Sequence, residues 1–326
     1  MSVQIQNIRQ VYNDGNHNAF TDLVHFKGAY YLTFRSCIDG HMVYDSSRIL
    51  ILHSLDTVHW RLAHAFHVPD RDVRDPHFLA LGDALFVYSG TWLADGRRER
   101  EQNDQQGYGC WTTDGKTWRG PRFLEGTQGH YIWRAAAHEG KAYLCGRRKR
   151  GLAPTATMAE ARPLTESALL VSDDGLRFQT AGLFQEEYGD ETAFCFEPDG
   201  AIVALARRPL GMTAQLLRAR PPYRDWSRRD LDRNVGGPLL ARWGDRYLVG
   251  GRKWLDGDRA ITMLYWLVDD RLVEIAALPS GGDNSYPGFV ETGPGRGLVS
   301  WYSSHEGSGV GQAPCAIYLA DLALAE

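Results

Sequence analysis

The sequence is short of everything that marks a disulfide-stapled, membrane-spanning or nucleic-acid-binding chain. Its five cysteines (Cys37, Cys110, Cys145, Cys195 and Cys315) are odd in number and scattered, with no CxxC and no Cys/His spacing of the kind zinc uses. Most sit in or beside apolar runs, which reads as free thiols in a core. No apolar run approaches the roughly 20 residues that cross a bilayer as a helix. The opening MSVQIQNIRQVY has no basic segment followed by an apolar one, as an export signal would. The expectation is a reducing, cytoplasmic location with no membrane partner. Charge of one sign is missing too: 36 Lys and Arg face 40 Asp and Glu, a formal net charge of −4. That leaves no footprint for nucleic acid. Long 3.6-residue periodicities are absent, which excludes a helical bundle.

Present instead are 35 glycines, 11% aromatic residues and many short apolar runs. Their order is repetitive. An apolar run, a Gly-containing turn and a second apolar run recur as FTDLVHFKGAYYLTFR (20–35), DPHFLALGDALFVYSG (75–90) and WRAAAHEGKAYLCGRR (133–148). They return as ETAFCFEPDGAIVALARR (191–208), GPLLARWGDRYLVGGR (237–252) and YPGFVETGPGRGLVSWY (286–302). The turn glycines Gly28, Gly82, Gly140, Gly200, Gly244 and Gly295 are 54, 58, 60, 44 and 51 residues apart, about one-sixth of the chain each. Each unit reads as a β-hairpin, and in most a second strand pair follows, as in RILILH and RLAHAFHV. Four strands repeated radially describe a propeller blade, so the predicted fold is all-β, a six-bladed β-propeller in a single domain, 1–326. The last repeat supplies three strands only. The N-terminal segment 3–11 is predicted to complete that blade and close the ring, which removes an exposed edge.

The second hairpins share a turn of the form S/T-x-D followed by an aromatic: Ser54, Asp56, Trp60; Thr112, Asp114, Trp118; Ser172, Asp174, Phe178. The Asp can hold the turn backbone while the ring packs between sheets. These turns resemble shortened Asp boxes, a structural signature of sialidases and related propellers.

Propeller geometry sorts the polar residues by face. His17, Asn18, Asp22, Arg35, Asp45, Arg74, Asp75, Arg134, Arg147, Glu191, Arg207, Arg252, Tyr286 and His305 fall on the face opposite those turns. Arginines gathered near a closed axis are costly unless something anionic joins them. Two long insertions, 92–106 and 149–165, leave the same face and read as loops over its mouth.

The segment from Glu191 through the turn Asp199-Gly200 to Arg207 resembles the sialidase (neuraminidase) segment carrying a catalytic Glu and the second arginine of a triad. Phe34-Arg35 is similar to the start of the FRIP motif that supplies the first arginine, with Ser36-Cys37 in place of Ile-Pro. Asp75-Pro76 resembles a second-blade segment lining the glycan pocket. Arg252 occupies the place of the third arginine and Tyr286 that of the catalytic tyrosine. The resemblance implies an exo-glycosidase that retains configuration and needs no metal or organic cofactor. Its ligand would be the terminal acidic sugar of a glycan. Arg35, Arg207 and Arg252 would clamp the sugar carboxylate, with Asp75, Arg74 and Arg134 beside them in the binding pocket. Tyr286 would be the nucleophile and Glu191 its base. Asp45, or Asp39 in the same loop, would be the general acid.

The residue chemistry fits that division of labour. Guanidinium groups bind a carboxylate in charge-assisted, partly bidentate fashion. A neutral phenol is not repelled by that carboxylate, but with a pKa near 10 it needs a base. Tyrosine nucleophiles are the sialidase exception to the two-carboxylate rule of glycosidases. Two alternatives stay open: a glycosidase acting on a uronic acid with Glu191 and Asp75 as a carboxylate pair, and a propeller that binds glycan without turnover.

Overall fold

The computed structural model describes residues 2–96, 101–256, 259–306 and 314–324. Residues 97–100 of the first insertion lie outside this range. Six four-stranded antiparallel sheets follow one another, and five of them use four consecutive strands. In the sixth, Val3–Tyr12 pairs antiparallel with Ala316–Leu324, so the N-terminal strand closes the ring as the sequence predicts. All six hairpin glycines have positive φ, between 59° and 80°. L-residues reach that region only at a cost, which explains why glycine marks every first turn. Among the described residues no helix is long and apolar enough to cross a membrane.

The first strands of the blades are His17–Phe26, Arg71–Leu81, Tyr131–His138, Thr192–Phe196, Gly236–Trp243 and Asn284–Gly293. Each packs on the next, and the last returns to the first, so these strands line the axis. Large apolar side chains such as Phe34, Trp133, Phe184, Trp243 and Trp301 fill the space between sheets. The three S/T-x-D turns share one hydrogen-bond pattern. The Oδ1 of Asp56, Asp114 and Asp174 accepts the backbone N–H groups two and three residues on. Oγ of Ser54, Thr112 or Ser172 accepts the N–H of that Asp and of the residue after it. The described cysteines are free, and four of the five are buried.

Five first strands skip a residue in the ladder; the skip between Ile132 and Ala135 carries no positive φ, and the other four share one. The ladder skips between Ala19 and Asp22, Arg74 and His77, Gly236 and Leu239, and Ser285 and Gly288. At each of these four a residue inside the skip takes positive φ: Phe20 (65°), Asp75 (50°), Gly237 (58°) and Tyr286 (50°), the last preceded by Ser285 at 104°. In three of the four the next residue is proline, which lacks the N–H that the skipped position would leave unpaired. A non-glycine residue held there costs roughly 1–3 kcal/mol, and such strain clusters at functional sites. Phe20 and Tyr286 are in ring contact, with centroids 4.9 Å apart.

Arg134 is a correction to the sequence reading. Its guanidinium crosses the axis, is taken up by the protein itself and ties blades together. Its Nη1 donates to Asp22 Oδ1 at 3.0 Å, Nη2 to the Pro287 carbonyl at 2.7 Å and Nε to the Pro238 carbonyl at 3.3 Å. Asp22 also accepts the Phe78 N–H, so three further blades meet on this pair. Burial raises the Asp22 pKa, but hydrogen bonds from His77 and the Arg134 charge outweigh it and hold the carboxyl below its usual range. Arg134→Met would leave Asp22 charged, buried and unpaired. The expected loss of stability in denaturant unfolding is about 3–5 kcal/mol. A loss under about 1 kcal/mol would contradict this assignment.

Candidate active site

Glu191 and Arg207 stand opposite each other just past the end of a strand pair, where the Arg207 N–H donates to the Glu191 carbonyl at 2.9 Å. Both side chains therefore turn toward the axis together. Arg207 Nη1 donates to Glu191 Oε2 at 2.9 Å and lies 3.3 Å from the Tyr286 hydroxyl. The Tyr286 hydroxyl donates to Glu191 Oε1 at 2.6 Å. The second carboxylate oxygen also accepts the Gly237 N–H at 3.2 Å. Glycine is needed there, since a Cβ at 237 would meet the Tyr286 ring at 2.6 Å. Burial, and then the Glu191 charge, push the Tyr286 phenol well above its ordinary pKa. The phenol is neutral at rest, and the carboxylate beside it is placed to take its proton.

Arg252 pairs across its strand with Gly236 and lies over the Tyr286 ring, with Cζ 5.8 Å from the centroid. It donates to Asp283 Oδ1 at 3.1 Å and to the Asn284 carbonyl, and its Nη2 lies 3.0 Å from the Tyr302 hydroxyl. Arg207 and Arg252 thus flank Tyr286. Both guanidinium groups have resident acids: Glu191 and Asp190 for Arg207, Asp283 for Arg252. Among the described residues, the hydrogen bonds of these guanidinium groups use Arg207 Nη1 and Arg252 Nε and Nη2, leaving Arg207 Nη2 and Arg252 Nη1 without one.

Arg35 does not join them. It is fully buried and lies 2.9 Å from Asp72. Its Nη1 and Nη2 donate to the Gly40 and Met42 carbonyls, both at 3.0 Å. His17, at 3.4 Å, stands between it and Asp283. The expected triad is therefore a pair, with the third cation inside the wall. Arg74 lies over the Phe20 ring at 5.2 Å, approaches Asp72 at 3.4 Å and donates to the His41 carbonyl at 2.6 Å.

Asp75, at its bulge, accepts a hydrogen bond from the Tyr131 hydroxyl through Oδ2, while Oδ1 is buried with no partner among the described residues. Burial, reinforced by the Glu191 charge, raises its pKa to about 7. A carboxyl in that state can donate from Oδ1 at neutral pH and below. Asp45 is a further correction. It is exposed and lines a separate depression with Ser46, Ser47, Arg48, Ala65, Phe66 and His67. Asp39 is exposed as well and accepts from Ser46 Oγ. Neither carboxylate bonds to the axial cluster among the described residues.

Asp283 is the residue that sequence reasoning missed. Its carboxylate accepts from Arg252, Tyr302, His17 (2.9 Å) and His41 (2.6 Å). Burial raises its pKa, but the two imidazole hydrogen bonds outweigh that and hold it well below the usual range. A signal did exist. Asp283 lies three residues before the Tyr286 bulge, as Asp72 precedes Asp75 and His17 precedes Phe20. His17, Asp283 and Cys315 bring three ligand-type atoms within 4.8 Å. Four hydrogen bonds already use the lone pairs of the Asp283 carboxylate, and burial raises the Cys315 thiol pKa, keeping it protonated. That chemistry suits a hydrogen-bonded cluster better than a cation site.

Comparison with solved structures decides the architecture. A protein of unknown function from Dyadobacter fermentans superimposes with a TM-score of 0.80 at 20% identity, over 99% of this chain and 100% of that one. The Trypanosoma rangeli sialidase, as the covalent intermediate with 2,3-difluorosialic acid, gives 0.67 at 11% identity, over 93% of this chain and 54% of that one. The phage phi92 endosialidase gives 0.72 at 9% identity, over 98% and 69%. The fold is that of the sialidase propellers. This chain spans little more than half of the trypanosomal sialidase. No protein-family model and no curated protein matches the sequence.

Proposed function

We propose that this sialidase-type propeller is a retaining exo-glycosidase that removes a terminal sialic acid, or a related ulosonic acid, from a glycan. One observation carries the reading: a neutral phenol 2.6 Å from a carboxylate, set between two arginines that each keep an N–H end no described residue takes up. In this reading Arg207 Nη2 and Arg252 Nη1 bind the sugar carboxylate. That contact places the anomeric carbon over Tyr286. As the phenolic oxygen attacks, its proton passes to Glu191, and the Arg207 Nη1 donor at 3.3 Å stabilises the developing charge. Asp75, neutral below pH 7, donates to a ring substituent of the sugar.

The test is release of free sugar acid from aryl ketosides of nonulosonic and octulosonic acids. Turnover of neutral aryl glycosides with none of any ketoside would sink the proposal. The Asp75 carboxyl adds a pH signature. With an activated aryl ketoside, wild-type kcat/KM falls as pH rises through about 7, because Asp75 then loses the proton it donates. Asp75→Asn keeps an N–H donor at every pH. It is expected to stay within about tenfold of wild type in mild acid and to lose the alkaline fall. Loss of activity at all pH values would show that Asp75 has to transfer a proton.

A further inference from the structure

The loop 38–47 is where the sequence places a carboxylic acid for the leaving group, yet Asp39 and Asp45 are both exposed, and Asp39 accepts from Ser46 Oγ. The side chain it turns inward is His41. We propose that His41 is the acid–base residue for the departing aglycone, with Asp283 as its positioning partner. The proposal rests on the glycosidase reading above.

Three observations support it. First, Asp283 fixes the tautomer. An ionised carboxylate can only accept, so His41 Nδ1, 2.6 Å from Asp283 Oδ2, carries a proton, and Nε2 is the nitrogen left to titrate. Second, Nε2 is available. It makes no hydrogen bond to a described residue, and the side chain is 32% exposed, against 1% for the neighbouring His17. The His41 ring packs edge-on to Phe20 at 5.8 Å, and Phe20 packs on Tyr286 at 4.9 Å, so the imidazole stands one ring away from the nucleophile. Third, the loop is held still. Arg35 takes the carbonyls of Gly40 and Met42, and Arg74 takes that of His41 between them. The buried Arg35 thus has a use: with Asp72 it anchors the backbone that presents His41.

The proton inventory closes. In the first step Nε2–H protonates the glycosidic oxygen as the anomeric C–O bond breaks, while the Tyr286 oxygen bonds that carbon and its proton goes to Glu191. In the second, neutral Nε2 takes a proton from water, whose oxygen attacks the anomeric carbon. The bond to Tyr286 breaks and Glu191 returns the phenolic proton. The charged and titratable groups facing His41 are Asp283, His17, Arg74 and Arg35. Burial lowers the His41 pKa and the two arginines add to that, while Asp283 opposes them; the net value is below the ordinary one of about 6.5. Turnover that needs the protonated form therefore declines as pH rises through a value under 6.5.

The experiment compares wild type, His41→Gln and His41→Ala on two ketosides of the same sugar acid, one with a nitrophenyl and one with an alkyl leaving group. The expected result is a roughly 10²–10⁴-fold loss of kcat/KM on the alkyl ketoside. On the nitrophenyl ketoside, which departs unaided, the loss should be within about tenfold, and formate should restore part of the His41→Ala rate. Equal losses on both substrates, in variants that keep the wild-type melting temperature, would overturn the assignment. A wild type inert toward both ketosides would overturn the glycosidase reading itself and this inference with it.

Discussion

Tyr286→Phe, which removes one oxygen atom, is expected to lower kcat on an aryl ketoside by roughly 10³-fold or more while leaving KM within a few fold. The asymmetry follows from the site. The groups assigned to the sugar carboxylate, Arg207 and Arg252, hold their positions through Glu191, Asp283 and the Asn284 carbonyl, without needing the phenol. The ring stays in contact with Phe20, and Glu191 keeps its bonds from Arg207 and the Gly237 N–H. The fold should be unaffected. A change of only a few fold in kcat would favour the carboxylate-pair alternative, in which Glu191 and Asp75 do the chemistry and Tyr286 only packs.

Glu191→Gln removes the acceptor for the phenolic proton and should cost roughly 10²–10⁴-fold in kcat. Two further consequences separate this from a packing defect. Because burial holds the phenol well above its ordinary pKa, the variant retains a neutral, unassisted nucleophile, and its residual rate should climb as pH rises. Arg207 would also lose one of its two acids, keeping Asp190, so substrate binding should tighten or stay unchanged. A residual rate independent of pH, with KM raised in step with the loss of kcat, would contradict the assigned role.

The fold was legible because propeller blades write their turns in glycine and their strands in short apolar runs. The same periodicity put Tyr286, Glu191, Arg207 and Arg252 on one face, and the structure brings these four together. What the sequence hid depended on partners from other blades. Arg35 lies near the end of a second strand and Arg207 just past the end of another. Arg35 meets Asp72, three residues before a bulge in the next blade, and is drawn into the wall. Arg134 looks like a pocket arginine until Asp22 is seen across the channel. Asp45 fits the place of the acid by chain position, but whether a loop residue points inward is set by the loop backbone, here pinned by Arg35 and Arg74. The bulges themselves were readable in outline. Asp75-Pro76, Gly237-Pro238 and Tyr286-Pro287 are the dipeptides at which a first strand must break its ladder, and two of them present functional candidates.

The most direct test of the central claim is to trap the glycosyl-enzyme. The protein would be incubated with a 2,3-difluorinated sugar acid of the ulosonic class, digested and sequenced by tandem mass spectrometry. A glycosyl adduct on Tyr286, absent when Tyr286→Phe is treated in the same way, is the predicted result. An adduct on Glu191 or Asp75, or hydrolysis of ketosides with no adduct on Tyr286, would contradict the account.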